Sequence, residues 1–223
     1  MKLTNETQNV LKNFATINGG LKFKVGSVLE TISQSNTVRA RAVVDNHFEQ
    51  TFCVHDMNNF LSVHSLFKDT EIGFDGADII FTGGRSTIRY RMTQEDQIVI
   101  PSDGSIVIEE PDAEFTLSKE DYDTIIKTAS VLKSPNIAIQ SDGNVVNFIT
   151  FSAEDNSTNI NSTEVAEGNG KVYKIVFKAD NFKMISGGYD VQVSFDGFVH
   201  FKNINGNIEY WLASEIDHNS IEE

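Results

Sequence analysis

Cysteine is almost absent from these 223 residues. Cys53 stands alone, so the chain can form no internal disulfide and no thiolate-held metal cluster. Long apolar runs are missing too. Nothing approaches the roughly 20 residues needed to span a bilayer, and residues 1–20 contain no continuous apolar region of the signal-peptide kind. A soluble intracellular protein is the expectation, and the sequons at Asn5, Asn156 and Asn161 then carry no glycan. Positive charge is also scarce. With 18 Lys plus Arg against 32 Asp plus Glu the net charge is −14, which argues against a protein that grips DNA through a broad basic face.

Catalytic signatures are lacking as well. There is no Walker-type phosphate loop, no HExxH helix and no GxSxG elbow, and the glycine pairs beginning at Gly19, Gly83 and Gly187 lack dinucleotide-binding spacing. His47, His55, His64, His200 and His218 are scattered without metal-ligand spacing, and Cys53, between Phe52 and Val54, reads as buried packing. The expectation is a non-enzymatic protein with no catalytic residues, no metal and no cofactor.

What is present is a hydrophobic fraction of 39% with 16 Phe, enough apolar area for a folded core. The pattern is repeated. Thr4 caps a helix over Asn5–Ile17 with Val10, Leu11, Phe14 and Ile17 on one face, and Ser118 caps another over Lys119–Leu132 with Tyr122, Ile125, Ile126, Ala129 and Leu132 on one stripe. Lys12 and Lys127 lie opposite these faces, related by an offset of 115 residues. Phe74-Asp75-Gly76 recurs as Phe195-Asp196-Gly197, and Phe81, Ile88 and Tyr90 recur as Phe201, Ile208 and Tyr210. Asp-Gly between alternating apolar residues marks hairpins, so each half ends in a strand meander. Shorter helices are expected over 56–66 and 179–185, the second apolar at Phe182 and Ile185 and stopped by Gly187-Gly188. The fold class is α+β, two copies of a unit of about 110 residues: 1–91, an acidic connector over 92–117, and 118–223.

The connector region has seven acids (Glu95, Asp96, Asp103, Glu109, Glu110, Asp112 and Glu114), no Lys or Arg, and the apolar triplets Ile98-Val99-Ile100 and Ile106-Val107-Ile108. It reads as an extended crossing on the outside of the molecule, open to basic partner segments. Residues 152–170 and the acidic tail from 214 are expected to be mobile.

Sorting charge by element changes the meaning of the average. The four helices and their flanks hold Lys2, Lys12, Lys68, Lys119, Lys127, Lys133, Lys178 and Lys183 against Glu6, Asp56, Glu120, Asp121, Asp123 and Asp180. That is +2 on the helices and −16 elsewhere. Solvated helix faces often carry lysine for no further reason, so charge alone does not select a partner.

Specific residues resemble the sliding clamps of T4-like bacteriophages, the processivity factors of DNA polymerase. They are Met1-Lys2-Leu3, the run from Leu11-Lys12-Asn13-Phe14 to Ala15-Thr16-Ile17-Asn18, Asp56, Asn58, Phe60-Leu61, Ser65-Leu66 and Arg85-Ser86-Thr87-Ile88. The resemblance implies the two-copy DNA-clamp fold, helices on one face of antiparallel sheets. It further implies a homotrimeric ring closed edge to edge by strands, threaded by double-stranded DNA without sequence preference, in the cytoplasm of an infected bacterial host. Implied partners are the replicative DNA polymerase, an ATP-dependent clamp loader and late-transcription factors, with no membrane. On that picture Lys2, Lys12, Lys119, Lys127, Lys133, Lys178 and Lys183 face DNA, while Ile98, Ile100, Ile106, Ile108, Trp211 and Leu212 form a groove for partner peptides. The competing reading is an acidic non-enzymatic structural or scaffold protein of a virus, which would leave the repeat unexplained.

Overall fold

The computed structural model describes every residue except Ser105, Asn156, Thr158 and Glu223, so the sequon asparagine at 156 lies outside the described residues. The chain divides into two compact units. One comprises Met1–Ser35 with Arg39–Asp103, the other Asn36–Val38 with Gly104–Glu223. The boundary near Gly104 falls inside the acidic connector, whose first half belongs to the first unit.

The first unit opens with α1 (Asn5–Ile17). Thr4 Oγ1 accepts from the Thr7 N–H at 3.1 Å, and Glu6 sits in the first turn, where the helix dipole favours negative charge. Val10, Leu11, Phe14 and Ile17 are all buried along one side. Then come β1 (Leu21–Phe23), β2 (Gly26–Ile32), β3 (Val38–Phe48), β4 (Phe52–Val54), α2 (Met57–Ser65) and the meander β5 (Glu71–Asp75), β6 (Asp78–Gly83), β7 (Ser86–Arg91). Asp56 starts α2 by accepting from the Asn59 N–H at 2.9 Å. β1 pairs with β4, β2 with β3, and β5-β6-β7 form one antiparallel sheet. Phenylalanine fills the space beneath the helices: Phe23 stacks on Phe52 with centroids 4.3 Å apart, and Phe60 meets Phe81 and Tyr90 edge-on. Each such ring, once buried, contributes roughly 1.5–3 kcal/mol.

The second unit repeats the plan as β8 (Ala113–Leu117), α3 (Lys119–Leu132), β9 (Asn136–Asp142), β10 (Val145–Phe151), β11 (Asn161–Glu167), β12 (Val172–Lys178), β13 (Tyr189–Ser194), β14 (Phe198–Asn203), β15 (Ile208–Ala213) and β16 (Ser220–Ile221). Two antiparallel arrays result, β11-β10-β9-β12-β16 and β8-β13-β14-β15. Gly76 and Gly197, at φ of 59° and 101°, make the corresponding Asp-Gly turns in the two units, a conformation that disfavours other side chains.

One expected helix is absent. Residues 179–185 form only a 3-10 turn, Ala179–Asn181, after which the chain runs irregularly. Phe182 and Met184, two residues apart, are both buried at 6% exposure, which is an extended spacing rather than a helical one. Phe182 lies among Phe148, Phe177 and Phe201, while Met184 O accepts from the Tyr122 hydroxyl at 3.0 Å. Burying both side chains therefore keeps the segment out of a helix.

The repeat continues past the last strand of each unit. After β7, Thr93 N–H bonds Cys53 O on β4 at 3.0 Å and a 3-10 turn forms at Glu95–Gln97. After β15, Glu215 N–H bonds Val176 O on β12 at 2.7 Å, a 3-10 turn forms at Ile216–His218, and β16 adds to β12. The tail of the second unit is thus the counterpart of the first half of the connector, and the described part of that tail is fastened in place.

Candidate functional site

Lys12 stands on the exposed side of α1, one turn from Asn9 and Thr16, which are also exposed; Lys127 stands likewise on α3 between exposed Thr124 and Val131. Among the described residues neither lysine makes an ion pair, and nor does Lys133. Lys133 ends α3 in the left-handed conformation, φ 53° and ψ 38°, its N–H satisfied by Ala129 O and Ser130 O. The other candidates are engaged. Lys119 pairs with Asp123 at 2.5 Å one turn along the helix, Lys178 reaches Glu215 at 3.6 Å, and Lys2 lies 3.9 Å from Glu71. Lys183 follows the 3-10 turn, its N–H bonded to Asn181 O. The lysine set divides by chemistry: Lys12, Lys127 and Lys133 keep their charge available, whereas Lys2, Lys119 and Lys178 spend part of theirs on acids of their own unit.

Lys12 also acts inward. His64 on α2 is buried, and burial together with the Lys12 charge lowers its pKa, which favours the neutral ring beside Phe81.

The groove candidates fall into both units. In the first, Ile98 rests on Gly20, and Ile100 lines a cavity of about 270 Å³ with Lys22, Lys24, Val28 and Pro101. The connector over this cavity is strapped down. Lys22 holds Glu95 at 2.6 Å, Lys24 holds Asp103 at 3.0 Å, Arg39 reaches Ser102 O at 3.3 Å, and Asn18 Nδ2 donates to Val99 O at 2.8 Å. Glu95 and Asp103 are therefore paired within their own unit, as Asp112 is with Lys171 at 2.9 Å. The Lys24 hydrogen bond is the main cause of a lowered Asp103 pKa.

In the second unit Ile106 and Val107 are exposed, Val107 at 67%. Trp211 and Leu212 face opposite sides of β15. Leu212 has no exposed surface and packs into the core, so it supports the strand and cannot wall a groove; this corrects its place among the groove residues. Trp211 turns to the other face, stacked on His200 with centroids 4.7 Å apart and planes 7° from parallel. Its indole Nε1 is buried without a hydrogen-bond partner among the described residues. His200 is held between Gln192 and Glu209, and burial keeps its pKa low despite the Glu209 carboxylate. The His200–Trp211 stack was hidden from sequence inspection because its members are 11 residues apart and meet only through the β14–β15 register.

Among the described residues no group of three or more His, Cys, Asp or Glu could hold a metal ion. Among the described residues no helix is long and apolar enough to cross a membrane.

No protein-family model matches the chain. The sliding clamp of Vibrio phage KVP40 is 28% identical over 222 residues, covering 96% of this chain and 99% of the relative. That of Enterobacteria phage T4 is 27% identical over 226 residues, covering 97% and 98%. Among solved structures, PCNA from Thermococcus kodakaraensis superposes with a TM-score of 0.68 at 12% identity, covering 94% of this chain and 96% of its own. The A. fulgidus PCNA bound to the C-terminal region of FEN-1 gives 0.66 at 17%, covering 94% of each. Such low identities carry the fold alone, and that fold is the DNA clamp with its two α+β copies. Likeness along nearly the whole chain together with this architecture makes the protein a relative of the sliding clamps of T4-like bacteriophages.

Proposed function

We propose that three copies of this chain close into a ring around duplex DNA and tether the replicative DNA polymerase for processive synthesis. In the same reading an ATP-dependent clamp loader opens the ring, the ring also serves late transcription in the infected bacterial cell, and no step is catalysed by the chain itself. The observation that carries this reading is the pairing of Lys12 with Lys127: the same exposed position on the first helix of each copy, each without an ion pair among the described residues. A trimer would present six such lysines. Flexible ammonium groups attract phosphates without reading bases, and weak contact of this kind permits sliding. The remaining acidic surface repels duplex from elsewhere on the protein. A viral scaffold role would give these positions no shared purpose.

Partner tails are proposed to dock beside the connector, with Ile98, Ile100, Ile106, Ile108 and Trp211 as candidates. The binding of the C-terminal region of FEN-1 to the A. fulgidus PCNA supports a tail-capture mode on this fold.

The test is Lys12→Glu with Lys127→Glu. Loading or processive synthesis is expected to fall at least tenfold while the assembly keeps its wild-type mass. Unchanged processivity would remove the two lysines from the mechanism.

A further inference from the structure

The two sides of β12 are covered very differently. On one side β12 pairs with β9 over its whole length, from Val172 opposite Asp142 to Lys178 opposite Asn136, and Tyr173, Ile175, Val176 and Phe177 are buried. On the other side its cover is the acidic tail. β16 is two residues long, with Ser220 opposite Lys174 and Ile221 opposite Tyr173, and both are exposed. Single bonds satisfy the rest of this edge: Glu222 N–H donates to Val172 O at 3.0 Å, Glu215 N–H to Val176 O at 2.7 Å, and Val176 N–H to Asn219 Oδ1 at 2.8 Å. The asparagine amide stands in for a strand carbonyl where the 3-10 turn Ile216–His218 interrupts the pairing.

The tail buries little apolar surface in return. Ile216 and Ile221 are 70% and 42% exposed, so backbone bonds at the solvent boundary do most of the holding. Segments of that kind open locally at far lower cost than the core strand beneath them. Once opened, β12 is an ordered edge with unpaired N–H and C=O groups, the template to which an extended peptide adds. The charges indicate which peptide. Lys171, Lys174 and Lys178 fall within eight residues that contain no acid, while residues 214–223 carry four acids and no Lys or Arg. Lys178 reaches Glu215 at 3.6 Å, and Lys174, on the same face of the strand, lies over the Phe151 ring at 4.1 Å. The tail thus occupies the edge as an acidic peptide would.

We propose that the β12 edge is a docking site for an extended acidic segment of a partner protein, and that the chain's own tail masks it. The partner strand replaces β16, takes up the free backbone groups of Val172 and Val176, and sets its acids against Lys174 and Lys178. Every part of the site lies in the second unit, and it shares no residue with the groove proposed beside the connector. Because the tail competes, the apparent affinity for such a segment is reduced by the fraction of chains whose edge is open.

The test uses a labelled synthetic peptide of the tail's own sequence, residues 214–223, titrated into the full chain. In the Asn219→Ala/Ser220→Pro chain the tail loses a side-chain acceptor and a backbone donor, which weakens its hold. That chain is expected to bind the peptide about tenfold more tightly than wild type. Deuterium exchange over 172–178, faster in the variant, should slow to the wild-type rate when the peptide is added. Glu215→Lys/Glu222→Lys loosens the tail by charge alone and is the parallel variant if melting shows the first to be unfolded. Adding Lys174→Glu/Lys178→Glu to either should abolish the gain, as should replacing the peptide's four acids with lysine. Equal affinity in wild type and a folded tail-loosened chain, protection that appears outside 172–178, or equal binding of the acidic and lysine-substituted peptides would overturn the site.

Discussion

Ile98 lies so close over Gly20 that a Cβ built on the glycine would come within 2.6 Å of the isoleucine Cγ2 and 2.9 Å of its Cβ. The branched side chain has little freedom to retreat, because Asn18 and Lys22 anchor the connector on either side of it. Gly20→Ala should therefore lift the connector and cost about 1–3 kcal/mol. Thermal melting will report the loss, and limited proteolysis should show faster cutting between residues 98 and 103. An unaltered cleavage rate would mean that the connector is held by the ion pairs and hydrogen bonds without help from this contact.

His64 and His200 both have pKa values lowered mainly by burial, with Lys12 adding to the effect at His64 and Lys202 at His200, where Glu209 opposes it. Their unfolded counterparts titrate near 6.5. Above that value both are neutral in either state and stability is full. As pH falls below it, the unfolded chain takes up protons more readily than the folded one, so stability declines through the window between the unfolded and folded values. Urea midpoints at about pH 8 and about pH 5.5 should show this decline, and His64→Gln with His200→Gln should flatten it. Because the carboxylates with lowered pKa, Asp103 and Asp123 among them, lose their contribution only in stronger acid, the two effects separate on the pH axis.

Much of this architecture was legible from residue order. α1 and α3 announced themselves through Thr4 and Ser118 and through apolar residues at helical spacing, and the structure uses both caps. The Asp-Gly turns did the same for the hairpins. Asn181-Phe182 misled because it matches Asn59-Phe60, yet only the first unit continues as a helix; the three-dimensional demand for Phe182 and Met184 in one core is not visible locally. The likeness between connector and tail was hidden because it resides in backbone bonds to β4 and β12, with little side-chain identity to mark it. For the site, lysine positions could be read from periodicity, but their ion pairs and the burial of Leu212 could not.

Lys133 offers a way to separate charge from stability. A lysine in left-handed conformation is strained by roughly 1 kcal/mol, and glycine at this helix-terminal position removes that strain. Lys133→Gly should therefore match or exceed the wild-type melting temperature. If Lys133 faces DNA, the same variant should load less well and show a shallower dependence on salt, whereas Lys133→Asn, which tolerates the backbone, should behave alike. Normal loading by both variants would take this lysine out of the DNA-facing set.

Trp211 and Leu212, adjacent in sequence and opposite in orientation, should fail in different ways. Leu212→Ala empties a fully buried site and should cost about 2–5 kcal/mol, with any loss of partner binding tracking the loss of folded protein. Trp211→Phe keeps an aromatic ring against His200 but deletes an indole N–H that is buried without a hydrogen-bond partner among the described residues. Leaving such a group unsatisfied costs about 1–3 kcal/mol, which offsets the smaller packing area of phenylalanine, so the free protein should melt within a few degrees of wild type. In the tail-docking reading the partner peptide packs on the Trp211 face of β15, where the smaller ring leaves it less apolar area. A titration of the polymerase C-terminal peptide should then weaken about tenfold with Trp211→Phe, and equal affinity in the two proteins would move the docking groove away from this strand.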